Sequence, residues 1–185
     1  VALFVDELLR ETGVQPSDLD AVAVGKGPGS YTGLRIGVSF AKGLCYALNI
    51  PLIAVGSLNA LTEVAREDYD AGILDIEDDE WANAALCPMV DARRMEVYSA
   101  VFDPEGHQIT ETSPVIVDGD SFAGYLAEGP VLFIGDGAGK CADVINHPNA
   151  RFVQCNPTAS AMVRPATEAY KEKRFKDVAY FEPFY

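Results

Sequence analysis

A glycine-rich segment, Gly25-Lys-Gly-Pro-Gly-Ser-Tyr-Thr-Gly33, is the part of the sequence whose residue types most clearly suggest chemistry. Such a turn between a strand and a helix aims backbone N–H groups at an anion, helped by the helix dipole. It matches neither strict nucleotide fingerprint, because Leu34 follows its last glycine and Ser30 stands where a dinucleotide loop needs a third glycine. Two interpretations stay open: an anion contact, or a tight turn that packs the next helix on a sheet.

Candidate catalytic side chains are few and scattered. Asp91, in the stretch Val90-Asp-Ala-Arg-Arg-Met-Glu-Val-Tyr98, stands where a strand is predicted to turn into a hairpin. A carboxylate there could hold a metal-bound phosphate, and the alternative is a turn-capping Asp paired with Arg93 or its neighbour. Ser30 and Thr32 have no base adjacent in sequence, so turn and N-cap hydrogen bonds are favoured over nucleophilic roles.

Cysteine and histidine spacing predicts no metal site. The four cysteines contain no Cys-x-x-Cys, and the two histidines, His107 and His147, cannot complete a four-ligand zinc site by spacing. We therefore expect reduced, buried thiols in an intracellular protein. No apolar run approaches the roughly 20 residues of a membrane span, which predicts a soluble chain with no membrane partner.

The charge of the chain is strongly acidic and unevenly spread. The 185 residues include 28 acidic and 14 basic side chains, for a formal net charge of −14 at pH 7. Nine of the acids lie between Glu63 and Glu80 beside a single base, Arg66. Such a block is typical of a solvated, self-repelling loop; a metal site is less favoured because no Asp-x-Asp-x-Asp-Gly motif is present. The overall balance excludes a protein that wraps nucleic acid by itself.

The elements that would position these residues alternate between strands and helices. Residues 1–13 resemble the end of a helix, a β-branched strand precedes the glycine segment, and a long helix runs from about Thr32 to Asn49 before a strand at 51–55. This order is a βαβ unit with parallel strands. The remaining predicted elements are a helix from Ser57 to about Arg66, strands at 85–90, 95–102, 131–135 and 151–155, a second glycine turn at 135–140 and a helix from Thr158.

The helix after the glycine segment is apolar around most of its circumference. Its polar residues fall on one stripe about 80° wide at 100° per residue; they are Arg35, Ser39, Lys42, Tyr46 and Asn49. Either another part of this chain or a partner protein must cover the rest, and the pattern leaves both open.

Several motifs closely resemble the bacterial TsaB (YeaZ) family. They are residues 25–37, Ala41-Lys-Gly-Leu44, Ile53-Ala-Val-Gly-Ser-Leu58, Asp91-Ala-Arg-Arg-Met-Glu-Val-Tyr98 and the ending Glu182-Pro-Phe-Tyr185. The resemblance runs over essentially the whole chain. It implies an α/β fold of the actin-like, sugar-kinase-like (ASKHA) two-lobed architecture, with RNase H-like lobes.

The resemblance also implies how the chain is organised. We expect a first lobe at 1–82, a second lobe at 83–175 and a C-terminal extension at 176–185. The family opens with a strand hairpin that has no counterpart before Val1, so the N-terminal hairpin is expected to be missing from this chain.

In function, the resemblance implies a non-catalytic scaffold subunit. It would bind and activate TsaD in the complex that forms N6-threonylcarbamoyladenosine at position 37 of tRNAs reading codons that begin with A. The expected partners are TsaD, the ATPase TsaE, tRNA only within the complex, and a second copy when the chain is alone, all in the cytoplasm. We expect no cofactor or metal of its own, and the interface with the partner stays open as a nucleotide site. The alternative is an autonomous ATPase or small-molecule kinase of the actin-like fold.

Roles for single residues follow from the same resemblance. The N-terminal helix and the helix after the glycine loop would form the TsaD-binding bundle. The residues expected to contact the partner are Phe4, Leu8, Leu34, Arg35, Gly37, Val38, Ala41 and Cys45. The glycine loop would shape the subunit junction through Gly25, Gly27, Gly29, Ser30, Tyr31, Thr32 and Gly33. Asp91 and Arg93 would lie in a hairpin of the second lobe.

Overall fold

The structure, a computed structural model, describes residues 1–185 and is an α/β protein with seven helices and seven strands. The helices are α1 (Ala2–Thr12), α2 (Tyr31–Leu48), α3 (Ser57–Asp70), α4 (Asp78–Ala82), α5 (Ala123–Glu128), α6 (Ala138–Cys141) and α7 (Val163–Lys171). The strands are β1 (Val22–Gly25), β2 (Leu52–Val55), β3 (Ala85–Asp91), β4 (Glu96–Ser99), β5 (Ser113–Ile116), β6 (Val131–Ile134) and β7 (Ala150–Val153). None of the helices combines the length and the hydropathy needed to span a membrane.

The chain forms two compact units. Unit 1 consists of residues 1–56 and 162–185, and unit 2 consists of residues 57–161. These units divide the chain at other points than the predicted lobes. The reason is packing: α3 lies against β3 within unit 2, while α7 lies against β2 within unit 1.

Unit 1 is built on the predicted βαβ unit. Strands β1 and β2 pair in parallel, with Val22 opposite Leu52 and Gly25 opposite Val55, and α2 connects them. Both strands are apolar on both faces, the pattern of a parallel sheet covered on each side. Leu52 packs with α2 on one face, and Ile53 and Val55 pack with α7 on the other.

Unit 2 contains a five-stranded mixed sheet in the order β5-β4-β3-β6-β7. Strands β3, β6 and β7 are parallel, whereas β4 and β5 are antiparallel additions. Side chains alternate between two hydrophobic clusters because successive residues of a strand face opposite sides. Leu86, Leu132 and Ile134 pack with α3 in one cluster, while Met89 and Phe133 belong to the other.

The acidic segment forms the loop that its charge predicted only at residues 71–77, which lie outside the helices and are mostly exposed. Helix α3 continues through Asp70, and α4 occupies residues 78–82. Glu63 is buried, and its carboxylate accepts a hydrogen bond of 2.7 Å from the Arg66 guanidinium. The apolar face of α3 on the sheet holds this part of the segment in helix, and the ion pair compensates the buried charge.

Three further local predictions need correction. Strand β5 and helix α5 were not predicted, and the predicted strand at 95–102 ends at Ser99. The last helix begins at Val163 instead of Thr158, which places Pro165 in the first turn, where a missing N–H costs little. All four cysteines are free, as predicted; three of them are buried as expected, whereas Cys155 is half-buried.

Candidate functional site

The glycine loop is held between β2 and the C-terminal segment of unit 1. The Lys26 N–H donates to the Val55 carbonyl at 2.8 Å, and the Phe184 N–H donates to the Lys26 carbonyl at 2.7 Å. Gly27 has φ +96°, and a Cβ there would lie 3.0 Å from Leu34 Cδ1 and would overlap the Phe184 carbonyl oxygen. The close approach of the C-terminal segment therefore requires glycine at this position.

The rest of the loop begins α2. The Ser30 hydroxyl oxygen accepts a hydrogen bond of 3.3 Å from the Gly33 N–H, the N-cap role that its residue type predicted. The Tyr31 ring lies 4.5 Å from the Tyr185 ring, between centroids. Gly25 is half-buried, whereas Gly29 and Thr32 are exposed. The geometry supports the packing interpretation of the loop, and an anion contact stays a prediction.

Helix α1 presents the first part of the predicted partner surface. Phe4 is 75% exposed and Leu8 is 58% exposed. No residue of α1 is buried. Both side chains are therefore free to contact another protein.

Helix α2 divides the rest of the predicted surface between two faces, which corrects part of it. Val38, Ala41 and Cys45 are buried in the core of unit 1, where Ala41 and Cys45 pack with Leu52. Their side chains are covered by the chain itself, so they are not available to a partner. The cause is the two-stranded sheet, which covers one face of the helix.

The opposite face of α2 is open. Arg35 is exposed, whereas Leu34 and Gly37 are half-buried. Ile36 and Tyr46 are 55% and 84% exposed, and neither was predicted to contact a partner. At 100° per residue both lie on the arc away from Cys45. The helical periodicity would have predicted their exposure if the side of α2 that faces the sheet had been known.

The predicted hairpin residues lie at the end of β3. The Asp91 carboxylate accepts a 3.0 Å hydrogen bond from the Arg93 N–H and forms an ion pair with the Lys140 ammonium. Lys140 also donates to the Glu96 carbonyl at 2.7 Å. The Asp91 N–H donates to Asp136 Oδ1 at 3.1 Å. Asp91 is thus a structural residue here, and its cation is Lys140 rather than an arginine of the hairpin.

The pairing gives a pH prediction. The hydrogen bond from Lys140, and then that from the Arg93 N–H, lower the pKa of Asp91. Because the pKa is lower in the folded state, the ionised Asp91 stabilises unit 2 at pH values above its unfolded-state pKa of about 3.9. This stabilisation is lost as the pH falls through the folded-state pKa. Asp91→Asn should therefore lower the free energy of unfolding at pH 7 and flatten its decline below about pH 4. Urea unfolding from pH 2.5 to 7 measures this, with the exposed Asp143→Asn as the control; parallel curves for Asp91→Asn and wild type would contradict it.

One group of side chains outside the predicted set has metal-ligating types. The ligand atoms of Asp103, Glu105 and His107 lie within 4.8 Å of one another on a turn of unit 2. Asp103 Oδ2 and His107 Nδ1 are 3.0 Å apart, and the His107 N–H donates to Asp103 Oδ1 at 2.8 Å. These contacts account for the shape of the turn.

Known proteins resemble the chain along most of its length. A family model described as TsaD, tRNA N6-adenosine threonylcarbamoyltransferase, matches residues 1–150. The tRNA threonylcarbamoyladenosine biosynthesis protein TsaB of Bacillus subtilis is 31% identical over 188 residues, covering 98% of this chain and 75% of that protein. A tRNA N6-adenosine threonylcarbamoyltransferase of Nitratidesulfovibrio vulgaris is 54% identical over only 55 residues, which cover 30% of this chain and 15% of that protein.

A solved structure extends the resemblance to the fold. The crystal structure of a Pseudomonas aeruginosa protein, described as similar to peptidase YEAZ, superimposes with a TM-score of 0.75 and 28% identity. The superposition covers 98% of this chain and 80% of that one. This confirms the predicted α/β fold of the actin-like class. Since the resemblance to TsaB spans nearly the whole chain whereas that to the transferase of Nitratidesulfovibrio vulgaris spans 55 residues, the chain belongs to the TsaB (YeaZ) family of tRNA threonylcarbamoyladenosine biosynthesis proteins.

Proposed function

We propose that the chain is a non-catalytic scaffold subunit that binds and activates TsaD in the cytoplasm. The complex would form N6-threonylcarbamoyladenosine at position 37 of tRNAs reading codons that begin with A, with TsaE as its ATPase. The observation that carries the proposal is the apolar surface that α1 and the open face of α2 expose in unit 1.

The α1 part of this surface is unusual for a free helix. Its exposed side chains include Phe4 and Leu8, which lie about 40° apart around the helix at 100° per residue and so share one face. Isolated helices of this length are marginal in water, so most helices of the kind are stabilised by packing an apolar face. A contiguous exposed apolar patch marks an interaction site. A partner helix or sheet laid on α1 would bury this face.

The open face of α2 contributes small residues to the same surface. The exposed positions of the open face between Ile36 and Tyr46 include Ser39 and Gly43. Both residues are small. Ala47 continues the same face. Small residues between two larger ones let the backbone of a partner come close, since the distance between packed helices depends on the side chains at their contact. When the chain is alone, we propose that a second copy covers this surface.

The side chains of the chain support a scaffold more than a catalyst. Burial raises the pKa of the Cys155 thiol to about 11 and raises that of Cys87 still further. Such thiols are protonated at neutral pH and are poor nucleophiles. Asp91, the best carboxylate candidate, is engaged by Lys140. We therefore assign the chemistry to TsaD, and we place any nucleotide at the interface with that partner.

The alternative, an autonomous ATPase, would need the glycine loop to receive phosphates. The backbone of Phe184 lies directly on Gly27, and the Gly33 N–H is bound by Ser30. Both contacts occupy parts of the loop that a phosphate would use.

The experiment is reconstitution with the cognate TsaD and TsaE. Size-exclusion chromatography with light scattering should show a heterodimer with TsaD, and threonylcarbamoylation of tRNA should rise when this chain is added. The chain alone should neither modify tRNA nor hydrolyse ATP. A TsaD mass and activity that do not change on addition would refute the proposal, and ATP hydrolysis by the chain alone would favour the alternative.

A further inference from the structure

The net charge of the protein belongs to one of its two units. Unit 1 carries nine basic and nine acidic side chains, whereas unit 2 carries five basic and nineteen acidic ones. All of the −14 is therefore in unit 2. A polyanion is repelled by an acidic surface and is steered to the most positive one. Unit 1 is the part of this protein where a nucleic acid can be tolerated.

Within unit 1, positive charge is concentrated at the end of α7 and directly after it. Residues 171–176 read Lys-Glu-Lys-Arg-Phe-Lys, four basic side chains and one acidic, and all six are exposed. The sequence alone gives this run no further context. The fold brings a fifth cation, Lys26 of the glycine loop, into its electrostatic range, although 150 residues separate Lys26 from Lys176.

Strand β2 fixes both lysines. The Lys176 N–H donates to the Leu52 carbonyl at 2.8 Å, and the Lys26 N–H donates to the Val55 carbonyl at 2.8 Å. Leu52 and Val55 are the first and last residues of β2 and are buried. The Phe184 N–H fixes Lys26 from the other side. The two backbone positions are thus set by the sheet.

The charges of the two lysines are not compensated by ion pairs within the protein. Lys26 and Lys176 form no ion pair, whereas Arg174 pairs with Glu172. Burial, and then the positive charges of Lys176 and Arg174, lower the pKa of Lys26. Like charges held within range of one another repel, and an anion bound among them would relieve that repulsion.

Aromatic side chains accompany the cations. The Tyr170 and Phe175 rings have centroids 5.7 Å apart, and both are partly exposed. Basic side chains interleaved with aromatic ones suit nucleic acid, since phosphates bind the cations and bases stack on the rings. A free phosphate or a nucleotide would use only the cations.

We propose that Lys26, Arg174 and Lys176, here named the basic patch, bind the phosphodiester backbone of RNA beside the Tyr170–Phe175 pair. The proposal rests on the proposed function, because the RNA is the tRNA brought to the complex with TsaD. Three cations on a chain of −14 give little affinity alone. The patch therefore adds to tRNA binding by the complex and does not bind tRNA tightly by itself.

The test uses the reconstituted complex with TsaD. Lys26→Gln, Lys176→Gln and the double variant are compared with Arg94→Gln, which removes one exposed positive charge from unit 2. The dissociation constant for tRNA is measured by fluorescence anisotropy from 50 to 300 mM salt. Each lysine replacement should reduce the slope of log K against log salt by about 0.7 to 0.9 and weaken binding about fivefold at 100 mM salt. Arg94→Gln should leave both unchanged.

The outcomes separate this inference from the proposed function. If no heterodimer with TsaD forms on size exclusion, the proposed function fails before tRNA is added. If the heterodimer forms and the lysine variants bind tRNA with the wild-type slope, the basic patch proposal alone is overturned. Losses confined to binding of ATP, inorganic phosphate or anionic phosphatidylserine vesicles, with tRNA binding intact, would also overturn it, because they would assign the patch to another anion.

Discussion

Replacing Gly135 by alanine is expected to destabilise unit 2 by about 2–4 kcal/mol. Gly135 has φ +119°, a conformation that L side chains rarely adopt. A Cβ there would overlap the Met89 carbonyl oxygen and would lie 2.9 Å from Leu61 Cδ1. Both neighbours are fully buried, and the Gly135 N–H is hydrogen-bonded to the Val153 carbonyl at 2.9 Å. Neither side of the contact can move without disturbing the sheet or α3.

The matched control is Gly124→Ala in α5. No heavy atom lies within 4 Å of a Cβ at Gly124, and its φ is not positive. Because alanine is the better helix former, this change should stabilise the unit by about 0.5–1 kcal/mol, the opposite sign. The single tryptophan, Trp81, is buried in unit 2, so its fluorescence in a urea titration reports the unfolding of that unit. Equal shifts of the two midpoints would show that the predicted overlap at Gly135 has no energetic cost.

The parts of the fold that the sequence predicted well are those set by local patterns. Helix α2 and strand β2 begin and end within one residue of their predicted bounds, and β1 leads directly into the glycine segment as predicted. A glycine-rich turn, an N-cap serine and a run of apolar residues define this unit without help from distant residues. Strands β3 and β6 are equally clear because they are buried runs.

Tertiary contacts decided the parts that the sequence did not predict. The acids after Glu63 favoured a loop, but burial against the sheet and the Arg66 ion pair hold a helix through Asp70. Strand β5 has a weak signal because it is an exposed edge strand that contains Pro114. In both cases a neighbouring element supplies the stabilisation, and the local residue types do not report it.

The candidate site shows the same division. The family resemblance implies that α1 and α2 bind the partner, which stays a prediction, but it also placed Ala41 and Cys45 at the partner, and these are buried in unit 1. Nothing local in the sequence tells which apolar face of α2 the sheet covers. The ion pair of Asp91 with Lys140 and the electrostatic repulsion between Lys26 and Lys176 join residues 49 and 150 positions apart. Pairs at such separations have no spacing rule, so only the folded chain reveals them.

The second large effect is expected at α1. Leu8→Asp should weaken binding to TsaD about 100-fold while leaving the fold of the free chain intact. A carboxylate buried at an interface without a partner charge loses its hydration, and truncated anchor residues cost about 2–4 kcal/mol. The fold should survive because no residue of α1 is buried. The measurement is the dissociation constant for TsaD by calorimetry, with circular dichroism of the free variant.

Leu3→Asp is the control that makes this result specific. Leu3 is 82% exposed, more than Leu8, so hydrophobicity alone would predict at least an equal effect. At 100° per residue it points about 140° away from Leu8, on the arc that carries the Asp6–Arg10 ion pair. If TsaD binds the apolar arc of α1, Leu3→Asp keeps wild-type affinity while Leu8→Asp loses it. Equal losses would mean that charge anywhere on the helix matters, and two unaffected variants would place the interface elsewhere on unit 1. Only the unequal result is consistent with an interface formed by one face of this helix.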